Sequence, residues 1–129
     1  MQQKTAALIG KYLISFRSSA GTLRYILHID SAKGAFFYGR MENDQRYHPS
    51  RHDFCYMKGI LAEKKDYEFI MKPDLQRNGE YHLPCAPFEW VLNNKTYFRL
   101  EENIIRGYMV VANSNDLPTF SFSGMKQPL

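Results

Sequence analysis

Glycine recurs inside the strand-like segments of this 129-residue chain. Four apolar runs rich in residues that favour strands each contain one: Gly39 in residues 37–41, Gly59 in 57–61, Gly107 in 105–109 and Gly124 in 122–125. Glycine weakens a flat strand, because it has no side chain to pack against its neighbours. Its repeated use at such positions indicates sharp bends or bulges, as are needed where a sheet curls into a barrel.

Apolar and polar residues alternate along most of the chain, which predicts strands. In the first strand, for example, Tyr12, Ile14 and Phe16 share one face. The predicted strands are residues 10–17, 22–30, 35–41, 54–62, 67–72, 88–92, 96–101, 104–112 and 119–125, with a short strand considered at 80–83. Such a succession without a helical period favours an all-β, up-and-down antiparallel meander closed into an eight- or nine-stranded lipocalin-like barrel, because closure removes exposed sheet edges.

The length allows one β-barrel domain over residues 1–129 with a single core. The side chains expected to line its interior are Tyr12, Ile14, Phe16, Tyr25, Leu27 and Trp90. Strand 35–41 is unusual, because Phe36, Phe37 and Tyr38 make it apolar on both faces. Three explanations remain open for the second face: burial under a loop, a homodimer interface, or an interior cavity that holds an apolar ligand.

The charge pattern and the cysteines limit the class of protein. The formal net charge is +4, but the basic residues are scattered along the sequence, so we expect no direct nucleic-acid binding. No stretch resembles a signal peptide core or a membrane span. We therefore expect a cytoplasmic protein in which Cys55 and Cys85 are reduced thiols.

No pattern of side chains identifies a catalytic or metal site. His48, His52 and Asp53, followed by Cys55, come nearest to a metal cluster, but structural zinc sites need four ligands at recognisable spacings. Residues 42–53 are better interpreted as a solvated surface segment. Neither cysteine lies in a nucleophile motif, so we expect no cofactor, no metal and no enzymatic activity.

The first half of the chain resembles a known family. The signals are the opening strand Gly10-Lys11-Tyr12-Leu13-Ile14-Ser15-Phe16, turn glycines at Gly21 and Gly34, and the later strand Phe54-Cys55-Tyr56-Met57-Lys58-Gly59-Ile60-Leu61. Over about residues 10–72 this order resembles the small lipocalin-like negative regulators of type III secretion. The resemblance implies an eight-stranded calycin-type barrel that dimerises and represses by binding a transcriptional activator protein.

Two departures separate the chain from that family. A Gly-Gly-Asp segment is missing, and residues 42–53 form a longer stretch in its neighbourhood. The turn that in the family carries an acidic, activator-binding run reads Glu63-Lys64-Lys65-Asp66 here, so its central charge is inverted.

These observations lead to two hypotheses about function. The first is a non-enzymatic regulatory protein that binds a protein partner, with residues 63–66 as the candidate contact. The alternative is an intracellular lipocalin-like carrier or sensor of a small apolar ligand in the barrel interior. A carrier needs an open interior, whereas a protein-binding barrel can be filled with its own side chains.

Overall fold

The computed structural model describes residues 2–19, 21–47, 54–74, 76–77, 94–111 and 120–128. Within these residues the chain forms a short helix and eight strands: α1 (Gln2–Ala6), β1 (Gly10–Ser18), β2 (Gly21–Lys33), β3 (Phe36–Asn43), β4 (Phe54–Leu61), β5 (Phe69–Pro73), β6 (Asn94–Glu101), β7 (Ile104–Val111) and β8 (Phe120–Lys126). Each strand pairs antiparallel with the next, and β8 pairs with β1. The prediction of an all-β antiparallel meander closed into a barrel is confirmed, with eight strands in the part of the chain described.

The second strand is longer than its sequence pattern predicts. It was expected to end at Asp30, but β2 continues to Lys33 through a bulge between Ile29 and Ser31. The extra residue at the bulge is Asp30, and its carboxylate lies 3.3 Å from Nε of Arg40 on β3. The chain then turns at Gly34, which has a φ of 61°. The bulge was missed because one extra residue shifts the alternation without adding a turn signal.

Two of the strand glycines are required by close approach of neighbouring backbone. A Cβ atom at Gly107 would collide with the carbonyl oxygen of Tyr97 and lie 2.7 Å from Cα of Phe98. At Gly39, which pairs with Ile29 beside the bulge, a Cβ atom would collide with the carbonyl oxygen of His28. Any larger residue at these two positions would force the backbone to shift. This explains why glycine occurs in strands that otherwise carry large side chains.

Side chains from alternate positions of all eight strands fill the barrel. Phenylalanine rings form a connected series across the interior, with centroid distances of 5.1 Å for Phe16–Phe122, 5.7 Å for Phe98–Phe122 and 5.4 Å for Phe69–Phe98. Each of these rings is at most 1% exposed. An eight-stranded barrel has an interior just wide enough for side chains to fill, and this one is filled largely by aromatic rings.

The N-terminal segment covers one end of the barrel. Thr5 on α1 is buried, and its hydroxyl donates a hydrogen bond of 2.7 Å to the carbonyl oxygen of Gly34 in the β2–β3 turn. Leu8 is fully buried in the core, and its carbonyl oxygen accepts a 2.6 Å hydrogen bond from the Tyr12 hydroxyl. The sequence pattern did not predict α1, because five residues are too few to show a helical period. In the part of the chain described, no helix is long and apolar enough to cross a membrane.

Candidate functional site

Five of the six predicted interior residues lie inside the barrel. Tyr12, Ile14, Phe16, Tyr25 and Leu27 are each at most 3% exposed, whereas Trp90 lies outside the described residues. Tyr12 and Tyr25 add phenol groups to this otherwise apolar set, and Tyr12 is the more deeply buried of the two. Burial raises the pKa of the Tyr12 phenol to about 12, because ionisation would place a charge in the apolar interior. These residues fill space and pack against one another.

The apolar segment of β3 divides between the two faces of the barrel wall. Phe37 points inward, is fully buried, and packs edge-on against Phe69 at 5.8 Å and Phe98 at 6.1 Å. Phe36 and Tyr38 point outward, and the Phe36 side chain is 49% exposed. The inner half of this apolar segment therefore belongs to the core, and its outer half belongs to the surface.

Phe36 begins a line of apolar and aromatic residues on the outside of five adjacent strands. The pairing register places Phe36 opposite Ile60, Ile60 opposite Ile70, Ile70 opposite Tyr97, and Tyr97 opposite Tyr108. We call these five residues the outer aromatic row. The Tyr97 and Tyr108 rings stack at 5.2 Å with 21° between their planes, and Ile60 is 38% exposed. Directly paired residues of adjacent strands share one face, so the row is a continuous strip of surface.

Lysines border one side of the outer aromatic row. Lys58 and Lys72 are paired on β4 and β5, two residues from Ile60 and Ile70 respectively. Lys95 is exposed on β6, two residues before Tyr97. Residues two apart in a strand lie on the same face, so these three ammonium groups flank the row. Basic residues that are scattered in the sequence are thus gathered in the folded barrel.

The predicted partner-binding turn is held to the barrel on both sides. Nζ of Lys4 lies 2.6 Å from a Glu63 carboxylate oxygen, and the hydrogen bond from this ammonium lowers the pKa of Glu63. From β6, the Arg99 guanidinium donates hydrogen bonds to the carbonyl oxygens of Lys64, at 3.1 Å, and Lys65. Both lysine side chains are exposed. The turn is therefore fixed through Glu63 and the backbone, while its two central ammonium groups face solvent.

The turn and the outer aromatic row are neighbours. Tyr67 follows the turn directly, and its ring packs against Tyr97 with a centroid distance of 4.8 Å. Burial raises the pKa of the Tyr108 phenol, and the negative charge of Asp66 raises it further. We call residues 63–67 together with the outer aromatic row the turn–row surface. Sequence reasoning found the turn and Phe36 separately, but it missed Ile60, Ile70, Tyr97 and Tyr108 as one group.

Residues 44–47, which follow β3, fold back over the outside of β1 and β2. The Asp44 amide donates to the carbonyl oxygen of Arg24, and its carboxylate accepts hydrogen bonds of 2.6 and 3.0 Å from Arg46. Asp44 is only 2% exposed, so the start of segment 42–53 is not the solvated excursion expected from its polarity. A groove of about 830 Å³ lies between this segment and an outer wall that includes Leu13 and Phe54.

The predicted absence of a metal site remains an expectation. His48, His52 and Asp53 lie outside the described residues. Cys55 is not part of a disulfide and is fully buried in the barrel interior, while Cys85 also lies outside the described residues. Among the side chains that the structure does describe, no group of three or more His, Cys, Asp or Glu residues could hold a metal ion.

Comparison with known proteins supports the fold. The sequence matches no protein-family model and no curated protein. The structure is similar to a solved structure described as the de novo design of a fluorescence-activating β-barrel, with a TM-score of 0.62. The two chains are 12% identical, and the match covers 98% of this chain and 100% of the designed one. At this level of identity the similarity shows a β-barrel fold alone.

Proposed function

We propose that this chain is a non-enzymatic, cytoplasmic regulatory protein that binds a protein partner through the turn–row surface. The lipocalin-like negative regulators of type III secretion, which its first half resembles, act by binding a transcriptional activator. We propose that this chain belongs to that family and that residues 63–66 take part in binding the partner. The partner that fits the surface has an apolar patch surrounded by acidic residues.

The observation that carries the proposal is the outer aromatic row, of which Phe36 and Ile60 are exposed and the other three residues are partly exposed. Protein–protein interfaces combine a central apolar or aromatic patch with a polar rim, and aromatic residues supply much of their binding energy. Here Phe36 and Ile60 form the exposed apolar end of the row. The ammonium groups of Lys64 and Lys65 lie at its edge, where they would increase the association rate with an acidic partner.

The packed interior favours this function over the carrier alternative. A carrier must leave space for its ligand, whereas the rings of Phe16, Phe37, Phe69, Phe98 and Phe122 contact one another across this barrel. The N-terminal segment also covers one barrel end through Leu8. The similar designed barrel is described as fluorescence-activating, but at 12% identity that likeness shows the fold alone.

The first experiment identifies the partner. The wild-type protein is immobilised and used to capture binding proteins from the native host, with mass spectrometry of captured proteins and of extracted lipids. The test variant Phe36→Ser/Ile60→Ser removes the exposed end of the row. Ile9→Ser is the matched control, because Ile9 is 42% exposed and lies outside the turn–row surface. We expect a captured protein that the double variant loses and the control retains.

The second experiment tests the turn with the identified partner. Replacing Lys64 and Lys65 by Glu should slow association about tenfold or more at low salt and reduce the salt dependence of the rate. The melting temperature should hardly change, because surface charges contribute little to stability. An unchanged association rate would remove the turn from the binding surface. A partner that the row variant still captures, or a stoichiometric apolar ligand in the extract, would contradict the proposed function.

A further inference from the structure

A second depression lies on the outside of β1, β2, β7 and β8, and it contains no residue of the turn–row surface. Its volume is about 430 Å³, within the range of small-molecule sites. Asp44, Arg46 and Tyr47 line it together with residues of the four strands. We call it the arginine–serine pocket, after Arg24, Ser15, Ser123 and Arg106, which line it.

These four residues form one continuous line across the strands. Ser15 on β1 is paired with Arg24 on β2 and with Ser123 on β8, and Ser123 is paired with Arg106 on β7. Two hydroxyl groups therefore lie side by side between two arginines. Adjacent strands are about 4.8 Å apart, so the two arginines start about 14 Å apart on the backbone, and both can reach a group bound over the serines.

The positive charge of this pocket is not neutralised by the residues described. The Arg24 guanidinium lies over the Tyr47 ring at 4.4 Å, and neither Arg24 nor Arg106 forms an ion pair within that part of the chain. Asp44 is the acidic residue in the lining, but its carboxylate is buried and accepts two hydrogen bonds from the Arg46 side chain. Two guanidinium charges therefore remain for an anion.

The neutral groups of the pocket indicate what else the anion carries. The hydroxyls of Ser15 and Ser123 have no hydrogen-bond partner among the described residues and can donate to a bound oxygen. Arginine matches phosphate geometry through paired N–H donors, and serine hydroxyls add further donors. Leu13, Ile104 and Met125 line the same pocket and offer apolar surface beside the anion position. The lining thus combines phosphate chemistry with an apolar contact.

We propose that the arginine–serine pocket binds a small phosphorylated molecule that carries an aromatic or other apolar group. The phosphate lies over Ser15 and Ser123, between the two arginines. The apolar group contacts Leu13, Ile104 and Met125. This inference goes beyond the proposed protein-binding function and does not depend on it, because the two surfaces share no residue.

Calorimetric titration with adenosine 5′-monophosphate, inorganic phosphate and adenosine tests the chemistry of the pocket. We expect the nucleotide to bind more tightly than either of its parts. Arg106→Gln should weaken nucleotide binding about tenfold or more, because a charge-assisted hydrogen bond is lost. Arg17→Gln is the matched control: it removes the same charge from an exposed position on β1 that does not line the pocket, and it should change the affinity less than about twofold.

Four results would overturn the proposal. Absence of binding at millimolar nucleotide would exclude the site, and adenosine binding as tightly as the nucleotide would exclude phosphate recognition. Equal weakening by Arg106→Gln and Arg17→Gln would indicate a general charge effect. Binding of a thymidylate 15-mer without binding of the mononucleotide would assign the basic residues to a nucleic-acid surface. Melting temperatures of both variants show that the barrel is intact, since both side chains are exposed.

Discussion

The buried phenol of Tyr12 should make the barrel sensitive to alkali in a measurable way. The side chain is fully buried at the end of the barrel that the N-terminal segment covers, and its hydroxyl donates to the carbonyl oxygen of Leu8 at 2.6 Å. Burial raises its pKa from 10 in the unfolded chain to about 12 in the folded one. The folded state therefore retains the phenol proton over a pH range in which the unfolded state has released it.

The sign and size of the effect follow from this difference in pKa. Below pH 10 both states hold the proton, and the stabilising contribution of the neutral phenol is complete. Between pH 10 and 12 the unfolded state binds fewer protons, so the free energy of unfolding falls as the pH rises. One unit of pKa corresponds to about 1.4 kcal/mol, so the total loss is about 2.7 kcal/mol, and about half of it has occurred at pH 11.

Urea unfolding followed by circular dichroism can isolate this contribution. The free energy of unfolding is measured for the wild type and for Tyr12→Phe at pH 7, 9, 10 and 11. At pH 7 the variant should be less stable by about 1–3 kcal/mol, because the buried carbonyl oxygen of Leu8 loses its donor. At pH 11 this gap should have narrowed by about 1.4 kcal/mol. Other tyrosines and lysines ionise in both proteins, so their effects cancel in the difference.

A difference in unfolding free energy between the wild type and Tyr12→Phe that stays constant from pH 7 to pH 11 would refute the reasoning. It would mean that Tyr12 ionises at the same pH in the folded and unfolded states. A gap near zero at pH 7 would contradict the assignment of the hydrogen bond to Leu8.

Two further predictions concern the barrel wall. Gly107→Ala should lower the free energy of unfolding by about 1–3 kcal/mol, and more than Gly124→Ala does, because its new methyl group meets the backbone of Tyr97, whereas at Gly124 the nearest atom is Cγ2 of the Ile14 side chain. Equal losses in urea unfolding would contradict this prediction. The wild type should be a homodimer at tens of micromolar by light scattering, with an interface that buries on the order of 1,000 Å² or more; a monomeric wild type would contradict this prediction.

The sequence was sufficient to predict the barrel because its signals are local. Alternation in β1, with Tyr12, Ile14 and Phe16 on one face, is visible without any knowledge of the neighbouring strands. The glycines within strands pointed to curvature, and close backbone contact accounts for two of them, Gly39 and Gly107. Features without a local signal were missed, namely the five-residue helix α1 and the bulge at Asp30.

The candidate surfaces could not be predicted in the same way, because they depend on register between strands. Tyr97 and Ile70 are far apart in the chain, and their pairing is fixed only when β5 meets β6. The line from Arg24 to Arg106 likewise joins four strands from both halves of the sequence. Basic residues are scattered along the sequence, whereas on the outside of the folded barrel they gather beside the outer aromatic row and in the arginine–serine pocket.

Closure of the barrel by its first and last strands has a consequence for synthesis. Every other strand pair joins neighbours in sequence, so it can form as the chain emerges, but the Phe16–Phe122 contact across β1 and β8 must wait until β8 has been synthesised. Until then the nascent protein is a curved sheet with two open edges and a partly uncovered aromatic lining. Long-range pairing of this kind slows folding, and open edges favour association between chains. The interval before β8 reaches β1 is therefore when a chaperone would be of most use to this protein.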